Sequence, residues 1–428
     1  MDGFKSIGRE TLFSIASGLI YAAGQWLLLK LFFVFYSTEI AGWYAYAMSI
    51  IAPVVGLGGM GLRPILVTDA RGQYSFSDYF AFRKICSAMT FIALVVIYLA
   101  LPNPKVEAEG LTLGFCILAL ARSIEMVSDI VQGEYQRQGR LIIVFASSVI
   151  KLVFGVGLFG LMAYYFSDVR AGLLVLALAN ILTLFAFEFS PKRLGYSPRG
   201  ILNARTASSI FWLSLPAGLN LLLVAFQSSI PRMLLANSAS LQLLAVFAAL
   251  TYLGVIGGFV SNAIGTAIAP VLGRQWANSD FRGFERTLLA VLIVDTFIGV
   301  GLLGIFLLFG QQLLATMFSR EVATYSSYLP WVAAYSLATF WSSHLGCGLT
   351  VLRRFKTMLG LNVARIIVGT LICYALIHYA PLKGALAALV AFPMISILPI
   401  CIVIFVDIKS ARERNHSLKD LSVQTSNA

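Results

Sequence analysis

The sequence predicts an all-α polytopic membrane protein, with about twelve transmembrane helices in two pseudo-symmetric six-helix lobes. Three observations carry this. Of 428 residues, 59% are hydrophobic and only 12% charged, about half the charged share of a soluble domain. The apolar residues come in runs of about 20, the length that crosses a ~30 Å hydrocarbon core as helix. Lys and Arg gather in alternate connecting loops, the asymmetry that orients membrane helices. A transmembrane barrel needs short alternating segments instead, and the chain has none.

The spans follow in order. The first, near 11–36, comes after "MDGFKSIGRE", which lacks a short apolar region with a small-residue cleavage site; it is expected to stay as an anchor. The second, near 41–62, ends in "GLGGMG" (56–61). No strand precedes this stretch, so it is no nucleotide loop; its small residues permit close helix approach. The next four lie near 84–103, 110–132, 141–165 and 170–188. The seventh, near 208–235, contains Pro216 in "LSLPAGLN" and is expected to bend there. The remaining spans lie near 242–269, 286–309, 325–350, 357–379 and 383–406. The tail after Asp407 reads as solvated and unstructured.

With an even count, both termini share one side. The N-terminus, even-numbered loops and tail hold 22 of the 31 Lys and Arg residues, Arg63, Arg71, Arg83 and Lys84 among them; the opposite loops hold Lys105, Arg170, Arg320 and Lys383. Both termini are therefore expected in the cytoplasm. The net charge of +12 is spread over short loops, not packed into one patch, which excludes a nucleic-acid partner. Five cysteines in apolar segments, without CxxC or Cys/His spacing, give no metal site and no disulfide framework. The opposite loops are short, the longest being about 15 residues near 310–324, which leaves no room for an external catalytic domain. No cofactor is expected.

"SDYFAFRK" (77–84) and "SDFRGFER" (279–286) match with an offset of 202 residues, and each follows the second span of its half. Upstream, Arg71 and Arg274 correspond with a one-residue gap. The implied organisation is an N-terminal lobe 1–189, a basic linker 190–207, a C-terminal lobe 208–407 and a tail 408–428. Such parallel repeats place a substrate path between the halves.

The charges inside the spans are the functional candidates. Arg122, Glu125, Asp129, Gln132 and Gln136 fall within a roughly 80° arc of one helix. Buried charges in membranes face a bundle interior or a water-filled cavity. An Arg122–Glu125 pair leaves Asp129 as the surplus carboxylate, although Asp129 lies close enough to the cytoplasmic end for simple solvation. Lys30 and Arg232 are also 202 residues apart; either they snorkel to the outer headgroups or they line the lumen. Lys151 and Arg365 sit nearer mid-span. These four, converging with Arg122 on a cleft, attract an anion, and Arg suits phosphate oxygens. Asp295 either carries a coupling ion or hydrogen-bonds a neighbouring helix. His344 is either a packed imidazole or a proton relay.

Three stretches resemble the polysaccharide flippases, of the O-antigen type, in the multidrug/oligosaccharidyl-lipid/polysaccharide exporter superfamily. They are "STEIAGWYAYAMSIIAPVVGLGGMGL" (37–62), "SIPRMLLANSASLQLLAVFAALTYL" (229–253) and "GGFVSNAIGTAIAPVLGRQWANSDFRGFERTLL" (257–289). The resemblance implies a V-shaped exporter in the bacterial inner membrane that moves an undecaprenyl-diphosphate-linked oligosaccharide by alternating access. It implies membrane lipid, a polysaccharide polymerase and a chain-length regulator as partners. Carried over, Arg122, Lys151, Arg232, Arg365 and Lys30 contact diphosphate or acidic sugars. Glu125, Asp129, Asp295 and His344 then balance charge or take protons. The runner-up is a cation-coupled multidrug exporter, which favours an acidic, aromatic cleft; the five basic and three acidic residues in the spans lean the other way. A membrane polymerase or ligase needs the external catalytic segment that the loops lack, so no enzyme activity is expected.

Overall fold

The structure is a computed structural model that describes residues 2–69, 72–101, 110–190, 194 and 202–426. These residues form helices and short turns, with no strand among them. The spanning elements are α1 (Asp2–Phe35), α2 (Thr38–Thr68), α3 (Phe76–Ala100), α4 (Leu111–Arg137), α5 (Leu141–Tyr165), α6 (Val169–Glu188), α7 (Ala204–Ser238), α8 (Leu241–Ala277), α9 (Phe281–Met317), α10 (Leu329–Val351), α11 (Phe355–Tyr379) and α12 (Pro381–Ser426). Ten of them are long and apolar enough to cross a membrane. The other two, α8 and α10, have 37 and 23 residues, also enough to span. Phe297, Leu308 and Phe405 expose most of their side chains, as lipid-facing residues do. Arg71, Lys105, Lys192, Arg193 and Arg199, with most of the basic linker, lie outside the described residues.

Three boundaries differ from the sequence expectation. Residues 77–84 are the first turns of α3, not a loop. Ser75 caps that helix in a reciprocal box with Asp78, which extends it eight residues earlier than hydropathy suggests. Asp280 caps α9 by accepting from the Gly283 N–H, so the matched octapeptides both start helices, with different residues as cap. The long outer loop shrinks because α9 runs on to Met317. The tail is helical to Ser426, since nothing after Asp407 breaks a helix; Arg412 on it lies 2.6 Å from Glu285.

The chain forms two compact units, Met1–Ala245 and Val246–Ala428. The first has a core of Met60, Leu66, Phe76, Tyr79, Ile130 and Tyr135. The second packs Leu272, Phe284, Leu288, Leu345, Leu349 and Ile404. In the first, α2 breaks at Met60 and Gly61, both left-handed with φ of 49° and 57°. Glycine adopts that region freely, whereas methionine is strained there by about 1–2 kcal/mol. The break redirects residues 62–68 and carries Arg63 to the edge of a cavity. Just before it, a side chain on Gly58 would run into the Thr90 hydroxyl and the Met126 methyl, the close approach expected of small residues. Pro216 sits inside α7, which continues as helix through it.

Candidate functional site

A cavity of about 800 Å³ opens within the first unit, lined by parts of α1 to α7. Much of its wall is apolar, from residues such as Leu28, Ile51, Val55 and Leu176. Against that wall stand four cations, Arg63, Arg83, Arg122 and Lys151, and two carboxylates, Glu125 and Asp129. The polar stripe of α4 thus faces a cavity, as intramembrane charge requires.

The charges form three groups. Arg122 Nη1 donates to Glu125 Oε2 at 2.7 Å, and Nη2 donates to Gln25 Oε1 at 2.6 Å. The Tyr21 and Tyr44 hydroxyls complete its surroundings at 3.5 Å. A buried guanidinium with a counter-charge and several acceptors is tolerable where a bare one is not. This Arg–Glu pair is the one the i,i+3 spacing predicts.

Asp129 is not surplus and not simply solvated. Arg63 Nη1 donates to Asp129 Oδ1 at 3.1 Å, and Arg83 Nη2 lies 3.6 Å from Oδ2. Arg63 Nε also donates to Gln136 Oε1 at 3.1 Å. Both arginines read from sequence as loop cations that set topology.

Lys151 Nζ lies 2.9 Å from Glu188 Oε1 and also donates to the Ser128 hydroxyl. Gln132 Nε2 donates to the same Glu188 oxygen at 2.9 Å, and the Ser128 and Ser147 hydroxyls add two more donors. Glu188 is fully buried. Both partners sit in π-turns, Lys151–Val156 in α5 and Thr183–Glu188 in α6; such turns cluster at functional sites. Sequence alone does not mark Glu188, because it falls at the end of a span, where a carboxylate reads as solvated.

The other sequence-predicted residues lie elsewhere. Lys30 sits over the Trp26 ring at 5.5 Å, and neither it nor Arg232 lines the cavity. In the second unit, Arg365 Nη2 donates to Asn362 Oδ1 at 2.6 Å and Nη1 to Ser342 Oγ at 3.2 Å. Its Nε has no hydrogen-bond partner among the described residues. His344 Nδ1 lies 2.6 Å from Asp295 Oδ2, and Nε2 lies 3.1 Å from the Ser261 carbonyl oxygen. Both ring nitrogens thus face acceptor oxygens. Asp295 thus ties α9 to α10 by hydrogen bond, one of the two roles open to it. Among the described residues no cluster of His, Cys, Asp and Glu could hold a metal ion.

These features define a polytopic helical protein with a charged, partly apolar cavity. No family model matches the chain. Its fold is that of the MATE transporters of the MOP superfamily. An inward-facing multidrug resistance MATE transporter matches with TM-score 0.72 and 17% identity, over 94% of this chain and 96% of that one. An outward-facing form matches with TM-score 0.67 and 16% identity, over 95% and 96%. A Vibrio cholerae MATE transporter, VcmN, matches with TM-score 0.65 and 13% identity, over 95% and 97%. In sequence, the chain is 22% identical over 315 residues to the capsular polysaccharide biosynthesis protein CapF of Staphylococcus aureus, covering 72% of this chain and 76% of that protein.

Proposed function

We propose that this chain is an exporter that flips a lipid-linked oligosaccharide, with its diphosphate held in the cavity of the first unit, by alternating access. The observation that carries the reading is the cavity's charge: four cations on the wall against its two carboxylates and the Glu188 that pairs with Lys151 from behind it, each carboxylate already bound to a cation. An anionic headgroup finds partners there, whereas an organic cation finds no unpaired carboxylate on the wall. The apolar remainder of the wall suits the sugar faces and the first isoprene units. The likeness to a capsular polysaccharide biosynthesis protein agrees. The proposed setting is a bacterial inner membrane with both termini cytoplasmic, from the Lys and Arg bias.

The test is a deletion strain. It should lack surface polymer and accumulate lipid-linked repeat units inside, and the intact gene should restore export while Arg122→Ala should not, although the variant inserts normally. A strain with normal polymer but raised sensitivity to cationic drugs would instead favour the multidrug reading that the fold neighbours suggest.

A further inference from the structure

Formal charge around the cavity does not fall where the sequence places it. Arg122 is matched by Glu125 and Lys151 by Glu188, at 2.7 and 2.9 Å. The third group is unbalanced, because Arg63 and Arg83 share the single carboxylate of Asp129. Arg83 is only 1% exposed. Its separation from Asp129 is 3.6 Å, beyond hydrogen-bond length, and its buried Nε has no partner among the described residues. A dry guanidinium with a distant share in one carboxylate is poorly compensated. The end of the first half of α2 lies beside it: a methyl group on Gly59 would sit 3.6 Å from Arg83 Nη1. That helix end contributes about half a negative charge, which helps Arg83 stay charged without satisfying its donors.

We infer that Arg63 and Arg83 form the phosphoryl-binding site of this cavity, with Asp129 as a resident competitor that the incoming anion displaces. The inference deepens the reading above and rests on it. A phosphoryl group offers more acceptor oxygens than Asp129 and matches the planar forks of two arginines. The Asp129 side chain is 41% exposed, so it has water to move into. Arg83 is held in place by burial, and Arg63 by Gln132 and Gln136 at 3.4 and 3.1 Å, so both stay in position when Asp129 leaves. Arg122 and Lys151 act as positioning residues, their charge already matched.

The experiment measures binding of inorganic pyrophosphate and of undecaprenyl diphosphate to the full chain in lipid nanodiscs, at low and high salt. The wild type should bind a diphosphate, more weakly at high salt. Arg83→Gln and Arg63→Gln should each weaken binding at least tenfold, whereas the isosteric Asp129→Asn should strengthen it severalfold. Opposite signs separate this site from misfolding, which loses binding in every variant; should Arg83→Gln fail to fold, Arg63→Gln and Asp129→Asn still decide. Binding of the lipid form alone would mark the headgroup as the source of the anion, and binding of both would mark the diphosphate itself; either supports the site. Wild-type binding left unchanged by both arginine variants, or weakened by Asp129→Asn, overturns the inference while leaving the cargo reading intact. A wild type that binds neither probe overturns both.

Discussion

The Lys151–Glu188 pair allows a quantitative test of how the first unit holds charge. Glu188→Gln keeps the shape and removes the counter-charge. At 2.9 Å, the lost attraction is about 6 kcal/mol for an effective dielectric of about 20. Burying both ions costs several kcal/mol each, so the intact pair contributes little net stability. Removing one partner is different, because it strands a buried ion and typically costs ~3–5 kcal/mol. Lys151 keeps some contact with the cavity, its side chain being 16% exposed, which places Glu188→Gln near the lower end of that range. Lys151→Met should cost more, since Glu188 is fully buried. The double variant Lys151→Met/Glu188→Gln leaves no ion stranded. Because the intact pair adds little net stability, the double should cost little, and the sum of the singles, at least ~6 kcal/mol, should overstate its cost by several kcal/mol, beyond the usual range for contacting residues. The assay is reversible unfolding in mixed micelles of the wild type, both singles and the double. Single effects that add to within about 0.5 kcal/mol would show that the pair is not coupled, and the account of this cluster would be wrong.

Three further outcomes follow from separate features. Gly58→Ala should destabilise by ~1–3 kcal/mol through overpacking, because its methyl would meet Thr90 and Met126; adding Thr90→Ala should recover most of the loss, and no recovery in the same unfolding assay counts against the close approach. Asp295→Ala leaves the buried Nδ1 of His344 without its partner and should cost ~1–3 kcal/mol, read by unfolding; a change under 0.5 kcal/mol would mean that the 2.6 Å contact does not join α9 to α10. In the loop after α2, the Gln73 and Tyr74 N–H groups donate to Asp69 and hold its carboxyl below the usual carboxylate range, the Gln73 bond contributing most. A carboxyl lowered by folding stabilises above its unfolded value of about 3.9 and loses that contribution as pH falls through the lowered value. Amide exchange at Gln73 and Tyr74 should therefore lose protection in that acid window, and Asp69→Asn should abolish the pH dependence.

The fold class was legible because membrane length and apolar runs leave few alternatives. The face of α4 was legible too, since Arg122, Glu125 and Asp129 lie on an unbroken helix where a 100° wheel holds. Arg63 and Arg83 were not, because hydropathy starts the third span after residue 83, whereas the Ser75 capping box starts the helix at Phe76. A Ser-x-x-Asp pattern ahead of an apolar run was the available signal. Arg63 was hidden by the break at Met60 and Gly61, which turns a residue just past a span back toward the cavity. The expected convergence of Lys30 and Arg232 on the same lining as Arg122 rested on equal spacing, and spacing alone does not say which way a side chain leaves its helix.

Glu188 shows a more general limit. On an ideal wheel it lies roughly 80° from Asn180, which lines the cavity, so it reads as pointing elsewhere. The π-turn at Thr183–Glu188 absorbs one extra residue. Counting one residue fewer across it brings Glu188 to within roughly 20° of Asn180, on the side where Lys151 waits. The same correction across Lys151–Val156 returns Val156 to the face of Leu141 and Ser148, which line the cavity with it. The α5 π-turn thus keeps one wall of the cavity continuous over a length that a regular helix would have twisted away, and the α6 π-turn turns Glu188 toward Lys151. The ion pair bridges the two irregular segments, so charge pairing and backbone irregularity here are one structural solution. A polar site built this way escapes any reading that assumes a constant period, and the correction becomes available only once two helices are seen to face each other.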